Sequence, residues 1–212
     1  HAGPAFPPKP NPLGAPSVSG RLILASRSPR RLELLSQIGV VPDEVVPAEI
    51  EETMRPGERP RELAGRLAAD KARHVAGKFP GDWVLGADTV VACGRRVLGK
   101  AENEQQARAF LELLSGRRHR VYGGVAVIDA EGGLHGRTVM TAVVFKRLGP
   151  DEIAAYLDSG EWQGKAGAYA IQGRAAAFVP KITGSYSNVV GLPLAETQAL
   201  LHGLGCKAGS GP

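Results

Sequence analysis

The residues of this chain best suited to chemistry fall in four stretches. Ser26-Arg27-Ser28-Pro29-Arg30-Arg31 stands between a short apolar run, Arg21 to Ala25, and a segment in which Leu32, Leu35 and Ile38 recur at helical spacing before Gly39. Free backbone N–H groups and the positive end of a helix dipole collect at such a junction, so hydroxyls and guanidinium groups added there make a cradle for phosphate. The plainer reading is that Ser28 caps the helix and Pro29 opens it while the arginines are solvated. The second feature is Asp88, inside the apolar run Trp83 to Val91. A carboxylate there is costly unless it is paired, hydrogen-bonded or on a metal. Either the strand ends at Asp88 and opens into a cleft, where ligands collect in α/β sheets, or Gly86 and Asp88 make a turn that breaks it.

The third feature is a set of charges able to converge. Lys71 falls with Leu63 and Leu67 on the apolar stripe of a helix opened by Pro60, not on its solvated face. Lys100 follows a strand at Arg96 to Leu98, Lys165 lies in Gly-Lys-Ala-Gly, and Glu51-Glu52 follows an expected strand from Val45 to Ile50. Together they offer cations for phosphates and carboxylates for a hard divalent ion, since Mg²⁺ needs only one or two protein carboxylates. Taken singly, each lysine reads as solvated surface. The fourth feature is glycine-rich: Gly164 to Gly173, then Thr183-Gly184-Ser185-Tyr186 and Val190-Gly191-Leu192-Pro193-Leu194. Such density lets backbone approach a ligand closely, and the Gln172 amide can donate and accept at a base edge. The alternative is a surface loop tied down for structure alone.

Other chemistries find no support. His74, His119, His135 and His202 show no metal spacing, no serine lies in a G-x-S-x-G elbow, and no P-loop pattern occurs. Neither Cys93 nor Cys206 has an activating neighbourhood, so covalent catalysis is not expected.

The elements that must carry these residues mix hairpins with strand–helix units. A strand from Trp83 turns at Cys93-Gly94-Arg95, and Asn103 with Gln106 forms a capping box ahead of Ala107, Phe110, Leu111 and Leu114. Tyr122 to Ile128 and Thr138 to Phe145 pair around Glu131-Gly132-Gly133, and helices open at Pro150 and Pro193. Ala176 to Val179 reads as a short strand. The pattern predicts an α/β fold with a mixed sheet rather than a doubly wound one. The 212 residues are 43% hydrophobic and 22% charged, enough for one domain or two small lobes. Residues 1–20, with six prolines and three glycines, read as a flexible leader, and 205–212 as a flexible tail.

The net charge is +5, but the basic residues are scattered and no aromatics interleave with them, which argues against nucleic acid as a partner. No apolar run approaches the roughly 20 residues that span a bilayer, and the start of the chain lacks a signal-type stretch. With only two cysteines, a reducing cytoplasm and no membrane partner are expected.

Six motifs in register carry a resemblance: Ser26 to Arg31, Gly86-Ala87-Asp88-Thr89, Lys165 to Tyr169, Ile171-Gln172-Gly173, Gly184-Ser185-Tyr186 and Val190 to Leu194. From residue 21 to about 204 the chain resembles the Maf family of nucleoside triphosphate pyrophosphatases. The resemblance implies a two-lobed, inosine-triphosphatase-like α/β fold, a mixed sheet with flanking helices, with the active site in the inter-lobe cleft. It implies hydrolysis of a nucleoside triphosphate to the monophosphate and pyrophosphate with a divalent cation, Mg²⁺ or Mn²⁺, in a housecleaning role, and a homodimer is common among relatives. The dTTP/UTP branch is the nearer one, with Arg, Thr and Gln at the positions of Arg30, Thr89 and Gln172, where the 7-methyl-GTP branch has Trp, Gln and Glu.

On this reading Asp88 is catalytic, and Glu52 and Asp88 hold the metal. Ser26, Arg30, Arg31, Lys71, Thr89, Lys100, Lys165 and Gln172 bind substrate. Gly99 and Ala101 around Lys100 depart from the family pattern and bear on local loop shape. The rivals are a pyrophosphatase for 7-methyl-GTP or other modified nucleotides, and a non-catalytic nucleotide-binding regulator of septum formation.

Overall fold

The computed structural model describes residues 20–207. In chain order its elements are β1 (Leu22–Ala25), α1 (Pro29–Gln37), β2 (Glu44–Val45), α2 (Pro60–Ala76), β3 (Trp83–Cys93), β4 (Arg96–Leu98), α3 (Glu104–Leu114), β5 (Arg118–Ile128), β6 (Leu134–Val144), α4 (Pro150–Asp158), a 3-10 turn at Arg174–Phe178, β7 (Lys181–Thr183), α5 (Tyr186–Val190) and α6 (Leu194–Gly203). Seven strands form one mixed sheet in the order β2-β1-β3-β5-β6-β7, with β4 also beside β3. β1 runs parallel to β2 and β3, and the remaining pairs are antiparallel.

Strand alternation distributes the core. Leu22, Leu24, Leu85, Ala87, Val125 and Val127 pack on one face with Leu34 and Leu35 of α1 and Leu200 and Leu201 of α6. Ile23, Ala25, Val84, Ala126 and Ile128 pack on the other with Ala68, Ala72 and Val75 of α2. At the far end of the long strands, Val91, Val121 and Val143 join a separate core built with α3, α4 and the 3-10 turn, filled by Phe145, Tyr156, Tyr169 and Phe178. β3 and β5 therefore run through two lobes, each with its own apolar interior.

Several expectations are corrected. β3 is continuous from Trp83 to Cys93, and Gly86 to Thr89 are fully paired with β5, so Asp88 is neither at a strand end nor in a turn. The expected strand from Val45 to Ile50 shrinks to Glu44–Val45, because only Ile23 and Leu24 of β1 offer it partners. Ala176 to Val179 mostly belongs to the 3-10 turn, and the strand lies later, at β7. In α1 the buried face carries Arg31, Leu34 and Leu35, while Leu32 is exposed. The Asn103 box is shifted: Asn103 accepts from the Gln106 amide, but the Gln106 side chain accepts from Glu102 N.

No helix among the described residues is long and apolar enough to cross a membrane. Of the leader, residues 1–19 lie outside the described residues, as do 208–212 of the tail. The amides of Gly205 and Cys206 donate to the His202 and Leu201 carbonyls at the end of α6.

Candidate active site

The cleft begins as a gap in the sheet. β5 occupies one edge of β3 from Val84 to Ala92, so β1 and β4 must share the other. β1 stops at Ala25, opposite Gly86, and the antiparallel β4 reaches back only as far as Leu98, its last residue, opposite Val91. Residues 87–90 are left without a strand neighbour on that edge. Alternation then sends Asp88 to the α2 side, with Gly86 and Val90, and Thr89 to the α1 side. Lys71 reaches Asp88 because α2 lies unusually close to the sheet. A Cβ at Gly86 would collide with the backbone of Ala68 and Ala72, and one at Gly124, directly beside Asp88 on β5, with that of Ala64. The Lys71 ammonium donates to Asp88 Oδ1 at 2.6 Å and pairs with Glu52 Oε1 at 2.7 Å.

On the α1 side the buried Arg31 guanidinium uses all three nitrogens. Nε donates to the Gly191 carbonyl at 2.9 Å, Nη1 to Ser26 Oγ at 3.2 Å and Nη2 to Thr89 Oγ1 at 3.2 Å. Arg30 Nε donates to the Val190 carbonyl. Ser28 holds the N-cap position without a side-chain capping bond, and its buried hydroxyl has no partner among the described residues. The capping alternative for Ser28 therefore does not describe its side chain. Burial pushes the Arg31 and Arg30 guanidiniums down from their ordinary value; the charge of Asp88 opposes this at Arg31 and that of Glu33 at Arg30.

The remaining charges sit at the rim. Glu52 projects from an irregular segment after β2, and burial raises its carboxyl. The Lys71 hydrogen bond and charge, with Lys100 and Arg31, outweigh that and hold it below the ordinary carboxylate value. Lys100 is exposed and its backbone bridges to Ala166. Burial, with the charge of Arg30, pushes the Lys165 ammonium down, and its Nζ donates to the Gln163 carbonyl at 3.1 Å. Gln172 is exposed, with no side-chain hydrogen bond among the described residues.

All ten residues singled out from the sequence line one cleft of about 770 Å³: Ser26, Arg30, Arg31, Glu52, Lys71, Asp88, Thr89, Lys100, Lys165 and Gln172. Glu51, the other half of the acidic pair, does not line it. Sequence reasoning missed Tyr169, which also lines the cleft and whose hydroxyl is hydrogen-bonded to His119 Nε2 at 2.8 Å behind it. It named Gly191 only within a glycine-rich stretch, without foreseeing that its carbonyl accepts from Arg31, and it missed the Arg27–Glu49 ion pair at 2.6 Å on the rim. Only the glycines of Gly164 to Gly173 hinted at the first of these.

The donor set fits a hard divalent ion and not a closed cage. Among the described residues no group of three or more His, Cys, Asp or Glu side chains is placed to hold a metal. Glu52 and Asp88 instead reach one cation, Lys71, through one oxygen each, and the second oxygen of each makes no protein hydrogen bond among the described residues. Two carboxylates suffice for Mg²⁺ or Mn²⁺, which take the rest of their shell from water and phosphate oxygens.

Comparison with known proteins gives a consistent picture. A family model described as Maf-like protein matches residues 21–204. A dTTP/UTP pyrophosphatase of Rhodospirillum rubrum is 58% identical over 191 residues, covering 90% of this chain and 91% of that protein. One of Paramagnetospirillum magneticum is 61% identical over 184 residues, covering 87% and 97%. Among solved structures, a HAM1 protein from Coxiella burnetii shares the fold at 21% identity and a TM-score of 0.51, over 87% of this chain and 99% of that one.

Proposed function

Since the chain belongs to the Maf-like family, we propose that it hydrolyses dTTP and UTP to the nucleoside monophosphate and pyrophosphate. The observation that carries this reading is the placement of one strand-borne acid, Asp88, in the same cleft as Arg30, Arg31, Lys71, Lys100 and Lys165. A triphosphate is the ligand that so many cations around one carboxylate suit.

In the reaction a water oxygen forms a bond to the α-phosphorus, and the bond from that phosphorus to the bridging oxygen breaks, releasing pyrophosphate. Asp88 orients the water and accepts its proton. Lys71 pins Oδ1, which leaves Oδ2 as the oxygen that takes the proton. Arg30, Arg31 and Lys100 neutralise charge as it moves onto the leaving group, the form of stabilisation that usually dominates. Ser26 and the N–H groups at the start of α1 hold phosphate oxygens. Thr89 keeps the Arg31 fork aimed across the sheet edge. Glu52 and Asp88 would hold Mg²⁺ or Mn²⁺, directly or through water, and that ion would supply Lewis-acid polarisation of the phosphate. Lys165 and Gln172, on the glycine-rich side, meet the far end of the nucleotide, where the Gln172 amide pairs with the N3–H and O4 of a pyrimidine.

A panel of nucleoside triphosphates, with pyrophosphate and orthophosphate measured separately and with or without a chelator, tests this. The expected result is pyrophosphate from dTTP and UTP, lost with chelator and restored by Mg²⁺ or Mn²⁺. Preference for 7-methyl-GTP, stepwise release of orthophosphate, or tight binding with no release would overturn it.

A further inference from the structure

Glu52 poses a mechanical problem. It lies in a segment, residues 46–59, with no helix or strand, and about half of its side chain is exposed. Its one direct ion pair among the described residues is to Lys71, whose ammonium Asp88 shares. Something else must fix the loop, because that ammonium is shared with Asp88 in the cleft. Arg66, on α2 a little over one turn before Lys71, does so: Nε donates to Glu58 Oε1 at 2.6 Å, and Nη2 to Glu58 Oε2 at 2.9 Å and to the carbonyl of Thr53 at 3.0 Å. Thr53 is the residue next to Glu52. Nη1 reaches Asp70 Oδ2 at 3.3 Å, which orients the guanidinium along the helix. The pair is well covered, with side-chain exposures of 15% for Arg66 and 9% for Glu58.

We propose that Arg66 is a positioning residue, a latch that ties the Glu52 segment to α2 so that this carboxylate meets Asp88 across the cleft. The inference rests on the role given to Glu52 above. A planar fork that spans a carboxylate and a carbonyl is work a lysine ammonium does poorly. The Arg66 hydrogen bonds hold the Glu58 carboxyl down at about 2, so the latch stays charged wherever the fold stands. It uses none of the groups that meet phosphate, so it persists when substrate is bound.

Hydrogen exchange of the whole protein, without nucleotide or added metal, reads the latch directly. Arg66→Ala should exchange the hydrogen-bonded amides of Arg55 and Glu58 about tenfold faster and leave β3 unchanged. In turnover it should lower kcat/KM for dTTP about 10- to 100-fold, with a rise in the Mg²⁺ concentration needed for half-maximal activity. Arg66→Lys should recover part of this, and Glu58→Gln, which leaves Arg66 in place, should reproduce the exchange signature more weakly. In a Glu52→Gln background, Arg66→Ala should add less than about a twofold loss, because a positioning residue has nothing left to position. Unchanged exchange at Arg55 and Glu58, or losses that multiply in the double variant, would overturn the latch. Full activity in Glu52→Gln would overturn the role of Glu52 and the latch with it, while leaving the Asp88 reading standing.

Discussion

The two walls of the cleft are built on opposite plans. The wall formed by α1, α2 and β3 is made of charges that already satisfy one another: Lys71 between Glu52 and Asp88, Arg31 against Ser26, Thr89 and Gly191, Arg66 on Glu58. The glycine-rich wall from Gly164 to Gly173 offers the cleft one cation and one amide, and is fixed from behind by neutral groups. Tyr169 is bonded to His119, Tyr156 accepts from the Ala170 amide, and the amide of Gly167 donates to the Leu98 and Gly99 carbonyls. The first wall is therefore stable because it is charged, and the second because its polar groups are buried and uncharged. Substitutions should cost chemistry on the one and alignment or base preference on the other.

The largest contrast comes from removing a lysine on each side. Lys71→Met leaves Asp88 buried without its cation and should cost about 3–5 kcal/mol as well as turnover, the scale for breaking a buried pair. Lys165→Met, at a half-buried site whose ammonium donates only to the Gln163 carbonyl among the described residues, should leave the melting temperature almost unchanged while raising KM. Urea unfolding and steady-state kinetics on both variants check this, and equal stability losses would erase the distinction.

A smaller effect is expected behind the second wall. Tyr169→Phe leaves His119 with no hydrogen-bond partner at either ring nitrogen, since Nδ1 already lacks one among the described residues. It should cost about 1–3 kcal/mol, the scale for an unsatisfied buried polar group. For a chain of this size that is roughly 2–4 °C in melting temperature per kcal/mol. kcat should change much less than stability; a variant that melts normally but has lost kcat would show that this wall takes part in the chemistry.

The finest distinction is in acid. Burial holds the folded His119 at about 4, below its ordinary 6.5, so the unfolded chain takes up the proton first and stability falls as pH drops from 6.5 to 4. Glu58 is held down at about 2 against 4.5, so its contribution is whole above 4.5 and is lost as pH falls toward 2. Glu58→Gln should flatten the lower limb of a plot of urea midpoint against pH and spare the upper one. A change confined to the upper limb would contradict the assignment.

The charged wall was largely legible in the sequence because its signals are local. A serine–arginine run before a helix, a lysine on an apolar stripe and an aspartate in an apolar strand each violate an ordinary pattern at a single place. What the sequence hid depends on distant pairings. Asp88 owes its opening to β1 and β4 ending at Ala25 and Leu98, an edge defect that no window around residue 88 contains. Leu32 looked like core, but Arg31 takes the inward position because Gly191, Ser26 and Thr89 satisfy its donors there. The His119–Tyr169 contact joins residues 50 apart, and Arg66 resembles any helix-surface arginine until Glu58 and Thr53 are folded against it.

The central claim is that Asp88, buried but reached from the cleft through the gap between β1 and β4, is the group that activates water. Pyrophosphate release from dTTP by Asp88→Asn, beside a melting curve of the same preparation, tests it most directly. The account predicts a loss of about 10²- to 10⁴-fold, the scale for a general base, with the fold retained. Near-normal release by a well-folded Asp88→Asn would contradict it.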